Sequence, residues 1–153
     1  MPGIRVVLAD SDALLRDGLK TILDLEEDLE VAGVARDGRE ALGMVQQLAP
    51  DVVLMDAGLP AMGGVASIKI LREKFPLARI IVLSTFEDED CVLNALAAGA
   101  DGFLLKDTPA DQLVAAVRDV IRGEVILPPR TAARLVARVL ELLPAGDEKK
   151  RKK

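Results

Sequence analysis

Histidine, tryptophan and tyrosine are absent from this 153-residue sequence, cysteine occurs once, and the only aromatic side chains are three phenylalanines. Each absence removes a class of chemistry. Without histidine, the usual zinc sites and every histidine-based catalytic pair are unavailable. A lone Cys91 excludes an internal disulfide and any multi-cysteine metal site. No apolar run reaches the ~20 residues that cross a bilayer. The opening Met1-Pro-Gly-Ile-Arg-Val6 runs directly into a strand, without the basic segment and long apolar stretch of a secretion signal. These absences lead us to expect a soluble cytoplasmic protein with no membrane partner, whose chemistry runs on carboxylates, hydroxyls and lysines.

What is present is a core of aliphatic residues and an uneven charge. Half of the residues are hydrophobic, enough at this length for one domain with a sizeable core and a short appendage. The net charge is −5, yet Asp147-Glu-Lys-Lys-Arg-Lys-Lys153 carries +3, which leaves −8 for residues 1–146. An acidic body is a poor surface for nucleic acid. The tail is expected to be a solvated linker.

Five apolar runs, Ile4–Ala9, Glu30–Ala35, Asp51–Met55, Ala78–Ser84 and Gly102–Leu105, have little polar alternation, as expected for strands covered on both faces. Between them, apolar residues recur at helical spacing: Leu15, Leu19 and Ile22; Ala41, Val45 and Leu48; Ile68 and Leu71; Val92 and Leu96; Leu113, Val117 and Val120. Pro50 and Pro76 follow helices that they could not continue, and Gly99 and Gly123 sit where helix ends need a left-handed residue. Thr108-Pro109 reads as an N-cap followed by proline in the first turn. Strict strand–helix alternation implies an α/β, flavodoxin-like, doubly wound five-stranded parallel sheet. The expected domain covers residues 1–123. An extension helix follows within residues 124–144, with Ala132, Leu135, Val136, Val139, Leu140 and Leu143 at helical spacing and Pro144 and Gly146 ending it. A charged tail occupies residues 145–153.

In an open parallel sheet the functional crevice lies beyond the carboxyl ends of the strands. Strand one ends in Asp10-Ser11-Asp12, strand three in Asp56, strand four in Ser84-Thr85 and strand five in Lys106-Asp107. Singly, Asp10 or Asp12 could cap a helix, the hydroxyls could close strand ends, and Lys106 could be surface. Together they converge at one end of the sheet. Acids there can hold a hard cation such as Mg²⁺, an Asp can attack a phosphoryl group to form an acyl phosphate, and a lysine and a hydroxyl can bind the other phosphoryl oxygens.

Four segments carry a family resemblance: Val7-Leu-Ala-Asp-Ser-Asp-Ala-Leu-Leu-Arg-Asp-Gly18, Pro50-Asp-Val-Val-Leu-Met-Asp56, Ile80-Ile-Val-Leu-Ser-Thr-Phe86 and Ala98-Gly-Ala-Asp-Gly-Phe-Leu-Leu-Lys-Asp-Thr-Pro109. In this order and at these separations, the chain resembles a response-regulator receiver domain of two-component systems, in the LuxR/NarL (FixJ-like) branch. The resemblance implies a CheY-like sheet of order 2-1-3-4-5, with Asp56 as the phosphoacceptor. Asp10, Asp56 and the Gly58 carbonyl would be Mg²⁺ ligands. Ser84 would be the switch hydroxyl, Lys106 the phosphate-binding lysine and Phe103 the aromatic that reports the active state. The implied partners are a histidine kinase and, left open, a second copy of the chain. DNA would be reached only through a helix-turn-helix domain that this chain lacks, to regulate transcription. Such a protein is not an enzyme beyond its own phosphotransfer and self-dephosphorylation.

Two departures qualify the resemblance. Ser11 stands where the family's second acid would be, with Asp12 one place later, and Gly63-Gly64 replaces an Asp or Asn before Gly. Weaker Mg²⁺ binding is expected unless Asp12 reaches the site. Phe86, two residues past Ser84, is expected to crowd hydrolytic water and slow dephosphorylation. The alternatives are a single-domain or phosphorylation-independent receiver and, more remotely, a haloacid-dehalogenase-like phosphatase using Asp10 and Asp12.

Overall fold

The computed structural model describes residues 3–60, 64–86 and 88–143. Five strands alternate with helices: β1 Ile4–Ala9, α1 Ala13–Asp24, β2 Leu29–Ala35, α2 Gly38–Leu48, β3 Val52–Asp56, α3 Gly64–Lys74, β4 Arg79–Ser84, α4 Glu89–Ala98, β5 Gly102–Leu105, α5 Ala110–Ile121 and finally α6 Pro129–Leu142. All strand pairings are parallel and the sheet order is β2-β1-β3-β4-β5, the flavodoxin-like arrangement expected.

The period-two alternation of strands divides the core into two layers. Val6, Leu8, Val52, Leu54, Ile81, Leu83 and Leu104 face α1 and α5, packing on Leu19, Leu23, Leu113 and Val117. Val53, Met55, Ile80, Val82 and Phe103 face α2, α3 and α4, packing on Val45, Ile68, Leu71, Val92 and Ala95. Both faces of the sheet are buried, which explains why the strands read as continuous apolar runs.

Boundaries move by at most a residue: β2 begins at Leu29, β3 runs from Val52 to Asp56, and β4 begins at Arg79. Thr108 does not cap α5, as Pro109 occupies the N-cap position and makes no side-chain cap bond there. The Thr108 hydroxyl instead donates to Leu105 O at 2.6 Å, closing the β5–α5 turn. α2 ends on Ala49 in the left-handed region (φ 47°), its N–H donating to Val45 O, a common helix C-terminal conformation, and Pro50 follows where the helix cannot continue. Gly99 ends α4 at φ 119°, and a Cβ there would meet the Arg72 side chain at 2.8 Å.

The chain beyond α5 stays attached to the sheet. Ile126 forms a single parallel bridge with Gly102, Phe103 N donates to Ile126 O at 2.7 Å, and Leu135 of α6 joins the layer that contains Phe103 and Val92. Pro144, Gly146 and the charged tail lie outside the described residues, as do Gly63 and Glu87. Among the described residues no helix is long and apolar enough to cross a membrane.

Candidate functional site

The carboxyl ends of β1, β3, β4 and β5 bring Asp10, Asp56, Ser84 and Lys106 to one place. Asp56 is the last residue of β3 and is buried. Asp10 directly follows β1 and is only 2% exposed. The sheet's own hydrogen bonds fix these ends: Asp10 N donates to Ala35 O at 3.0 Å, Ala57 N to Leu83 O at 2.8 Å, and Lys106 N to Ser84 O at 2.8 Å. The site is therefore built on strand termini that neighbouring strands hold in place.

Lys106 reaches between the two acids. Its ammonium lies 2.9 Å from Asp10 Oδ2 and 3.0 Å from Asp56 Oδ1. Burial pushes the Lys106 ammonium down, but its close contacts with the two carboxylates and their charges outweigh it, leaving its proton held above the ordinary value of 10.5. Backbone donors add to this: Asp12 N donates to the other Asp10 oxygen, Oδ1, at 2.8 Å, and Gly58 N donates at 3.2 Å to the same Asp56 Oδ1 that Lys106 contacts. Asp10 Oδ2 is buried and makes no directed hydrogen bond. The Lys106 contact is close but poorly aligned, so it is ionic in character and leaves acceptor capacity on that oxygen.

Asp12 does not join this pair. It is exposed and its carboxylate caps α1, accepting from Leu14 N at 3.0 Å and Leu15 N at 3.3 Å. Ser11 is exposed as well. Among the described residues there is no cluster of three or more acidic, histidine or cysteine side chains placed to hold a metal. Two carboxylates remain. They fit an ion that keeps most of its waters and takes one or two carboxylates, as Mg²⁺ does, and the unspent Asp10 oxygen is the donor in hand. They are a thinner set than three acids.

Ser84 is buried, while Thr85 beside it is exposed. The Ser84 hydroxyl donates to Phe86 O at 3.0 Å and accepts from Phe86 N at 3.2 Å, so it is engaged with its own loop. Phe86 is 75% exposed, and shielding a group on Asp56 would require it to swing inward. Phe103 is fully buried in the layer beneath α4. Two contacts at the site have no counterpart in the sequence pattern. Arg16 donates from Nη1 to Asp10 O at 2.6 Å, bracing the strand end from α1. Gly64 opens α3 so close to the loop after Asp56 that a Cβ would lie 2.4 Å from Ala57 O. Arg16 carried no pattern that could have marked it. Gly64 was visible as a glycine but not as a close approach.

An apolar cavity of about 310 Å³ opens beside Lys106 between α1 and α5, lined among others by Leu14, Leu15, Ile22 and Leu113.

A family model described as "Response regulator receiver domain" matches residues 6–118. The transcriptional regulatory protein LnrK of Bacillus subtilis (strain 168) is 38% identical over 133 residues, which are 87% of this chain and 60% of that protein. The signal receiver domain of the response regulator NarL from Mycobacterium tuberculosis superposes with a TM-score of 0.78 at 35% identity, covering 81% of this chain and 100% of that one. A two-component response regulator of the LuxR family from Aurantimonas sp. SI85-9A1 superposes with a TM-score of 0.84 at 26% identity, covering 90% and 99%. The chain thus spans about 60% of the length of the curated relatives it matches.

Proposed function

The chain belongs to the response regulator receiver domain family, with relatives of the NarL/LuxR type, and we propose from this that Asp56 is its phosphoacceptor and that the domain is the switch of a two-component transcription regulator. Members of this family are signalling proteins that interact with histidine kinases and generally bind Mg²⁺ at the phosphorylation site. The observation that carries the proposal is the Lys106 ammonium held between Asp10 and Asp56.

Chemically, an Asp56 carboxylate oxygen attacks the phosphorus of the donor, the bond to the kinase's phosphohistidine nitrogen breaks, and an acyl phosphate results. Lys106 neutralises charge at this point and binds a phosphoryl oxygen in preference to a carboxylate. Asp10, Asp56 and the Gly58 carbonyl would hold Mg²⁺, which supplies further neutralisation of the charge that builds up in transfer. The Ser84 hydroxyl, once freed from Phe86, donates to the transferred group. The cavity between α1 and α5, with the exposed Leu14 at its mouth, offers an apolar docking surface for the kinase next to the acceptor. DNA recognition would belong to a separate output domain of the same regulator, and the expected compartment is the cytoplasm.

The test is intact-mass analysis after incubation with acetyl phosphate and Mg²⁺. Wild type should gain one phosphoryl group that hydroxylamine removes, and Asp56→Asn should gain none. Equal labelling of the two proteins overturns the assignment. Turnover of a phosphoester through Asp10, without an adduct on Asp56, would point instead to the phosphatase reading.

A further inference from the structure

The helix after the five-unit domain is fastened to the element that carries the site's loop. We propose that α6 is a latch on α4 that phosphorylation of Asp56 releases; this rests on the reading of Asp56 as the phosphoacceptor.

Beside the buried Thr131 in its first turn, contacts of three kinds hold α6 in place. The first is the backbone pairing of Ile126 with β5, which sets where the helix starts, at Pro128-Pro129. The second is Leu135, which joins the buried cluster that contains Val92, Ala95 and Phe103. The third is electrostatic. Arg138 Nη1 donates to Asp90 Oδ1 at 2.9 Å, and lies 3.9 Å from Glu89 Oε2, while Arg134 Nε lies 3.9 Å from Glu89 Oε1. Both acids are in the first turn of α4.

The hold is weak in the way a latch requires. Ion pairs between solvent-exposed groups are individually small, and these arginines and acids are all at least partly exposed. The outward side of α6 gains nothing from docking, since Val136, Val139, Leu140 and Leu142 stay exposed. A 14-residue helix is marginal in water by itself. Its order therefore depends on what docks it: the buried Thr131 and Leu135, and the acids of α4.

Those acids sit at the end of a short lever from the site. Ser84 Oγ is tied to Phe86 O and N. Two residues on, Asp88 caps α4 by accepting from Asp90 N at 3.0 Å. A phosphoryl group on Asp56 adds charge and strong acceptor oxygens. The Ser84 hydroxyl has one proton to give and must abandon Phe86 O to donate to such an oxygen. That frees the Phe86 backbone next to the cap, and any shift of the first turn of α4 draws Glu89 and Asp90 from Arg134 and Arg138. Release would leave Leu135 and the neighbouring apolar residues of α6 open for a new contact.

Amide hydrogen exchange of the full chain, read on peptides within 124–143, tests this. Arg138→Glu should speed exchange of α6 about three- to ten-fold relative to α2 without phosphate, the range expected for losing an exposed pair and gaining a repulsion. Adding Asp90→Arg should bring it back. Acetyl phosphate with Mg²⁺ should produce a similar acceleration in wild type, scored only on protein shown by intact mass to be phosphorylated, and none in Asp56→Asn. Unchanged α6 exchange in Arg138→Glu, or no return in the swapped pair, removes the latch. A working charge swap with no response in phosphorylated protein removes the coupling. An Asp56 that takes no phosphoryl group overturns its reading as the phosphoacceptor and the coupling with it, whereas the charge-swap arm still reports on the latch by itself.

Discussion

Nζ of Lys106 stands 3.0 Å from Oδ1 of Asp56, and the same ammonium reaches Oδ2 of Asp10 at 2.9 Å. One cation thus holds two buried carboxylates at the ends of different strands. Removing it leaves like charges facing each other in a poorly solvated place. Breaking a fully buried pair costs about 3–5 kcal/mol. Because Lys106 retains partial exposure, we expect Lys106→Met to lose about 2 kcal/mol at neutral pH. Mg²⁺ should return part of the loss by supplying the missing charge. Urea denaturation with and without Mg²⁺ checks both, and a variant as stable as wild type in metal-free buffer would refute the electrostatic account.

The same contact sets a pH dependence. Lys106 binds its proton more tightly in the folded state than at its ordinary value of 10.5. Its contribution to stability is therefore complete below that value and fades as pH rises through the higher folded value. The stability gap between wild type and Lys106→Met should be constant from pH 7 to pH 9 and shrink only at strongly alkaline pH. A gap that closes near neutrality would show that a different group is titrating.

Ser11 and Asp12 separate two roles that the sequence left joined. Asp12 is spent on the α1 cap, so Asp12→Ala should cost about 1 kcal/mol of stability and leave Mg²⁺ affinity unchanged. Ser11→Asp puts a carboxylate where only a hydroxyl stands and should raise Mg²⁺ affinity about ten-fold, or roughly 1.4 kcal/mol. Calorimetric titration on the metal-free protein distinguishes them. Equal affinities in wild type and Ser11→Asp would mean that the third ligand position is not at residue 11.

Much of this was legible before the fold was seen, for a physical reason. Strands buried on both faces cannot hide among polar neighbours, so Ile4–Ala9 and Gly102–Leu105 stood out at their observed bounds. Chemistry at strand ends is equally visible, since an Asp or Lys terminating an apolar run is conspicuous, and Lys106 was found that way. Contacts made by long side chains leave no such mark: Arg16 on Asp10 O, Arg138 on Asp90 and Arg72 on Gly99 O join residues with no shared periodicity. Caps were harder still. Thr108-Pro109 had the composition of an N-cap, yet the hydroxyl turned back to Leu105 O, because both conformations suit the same residues and only the β5–α5 turn decides between them.

Ala49 ends α2 at φ 47°, the left-handed conformation that closes many helices and in which a Cβ is strained. Ala49→Gly should stabilise the domain by about 0.5–1 kcal/mol, relief of strain exceeding the extra freedom of the unfolded chain. Thermal denaturation of the pair checks it, and a lower melting temperature in the variant would show that the strain is not there to relieve.

At the end of the sheet away from the site, Arg72 holds the structure together as Lys106 does at the other. Its guanidinium donates to Gly99 O at 2.8 and 3.0 Å, to Pro76 O at 2.8 Å and to Ala78 O at 2.9 Å. It also pairs with Asp101 Oδ2 at 2.5 Å, the oxygen that accepts from Ile80 N at 2.8 Å. One side chain of α3 thus satisfies the ends of α3 and α4 and the approaches to β4 and β5. Lysine cannot replace it, because three donors on one nitrogen do not span these carbonyls as the planar fork does. Arg72→Ala strands several partly buried acceptors and should cost about 3 kcal/mol, with Arg72→Lys recovering less than half of that. Asp101→Asn keeps the shape but removes the charge, and should lose about 1–2 kcal/mol. If Arg72→Ala and Asp101→Asn combine additively in a double-mutant cycle, the two residues act independently and the clamp is not a unit; we expect a coupling of about 1 kcal/mol or more.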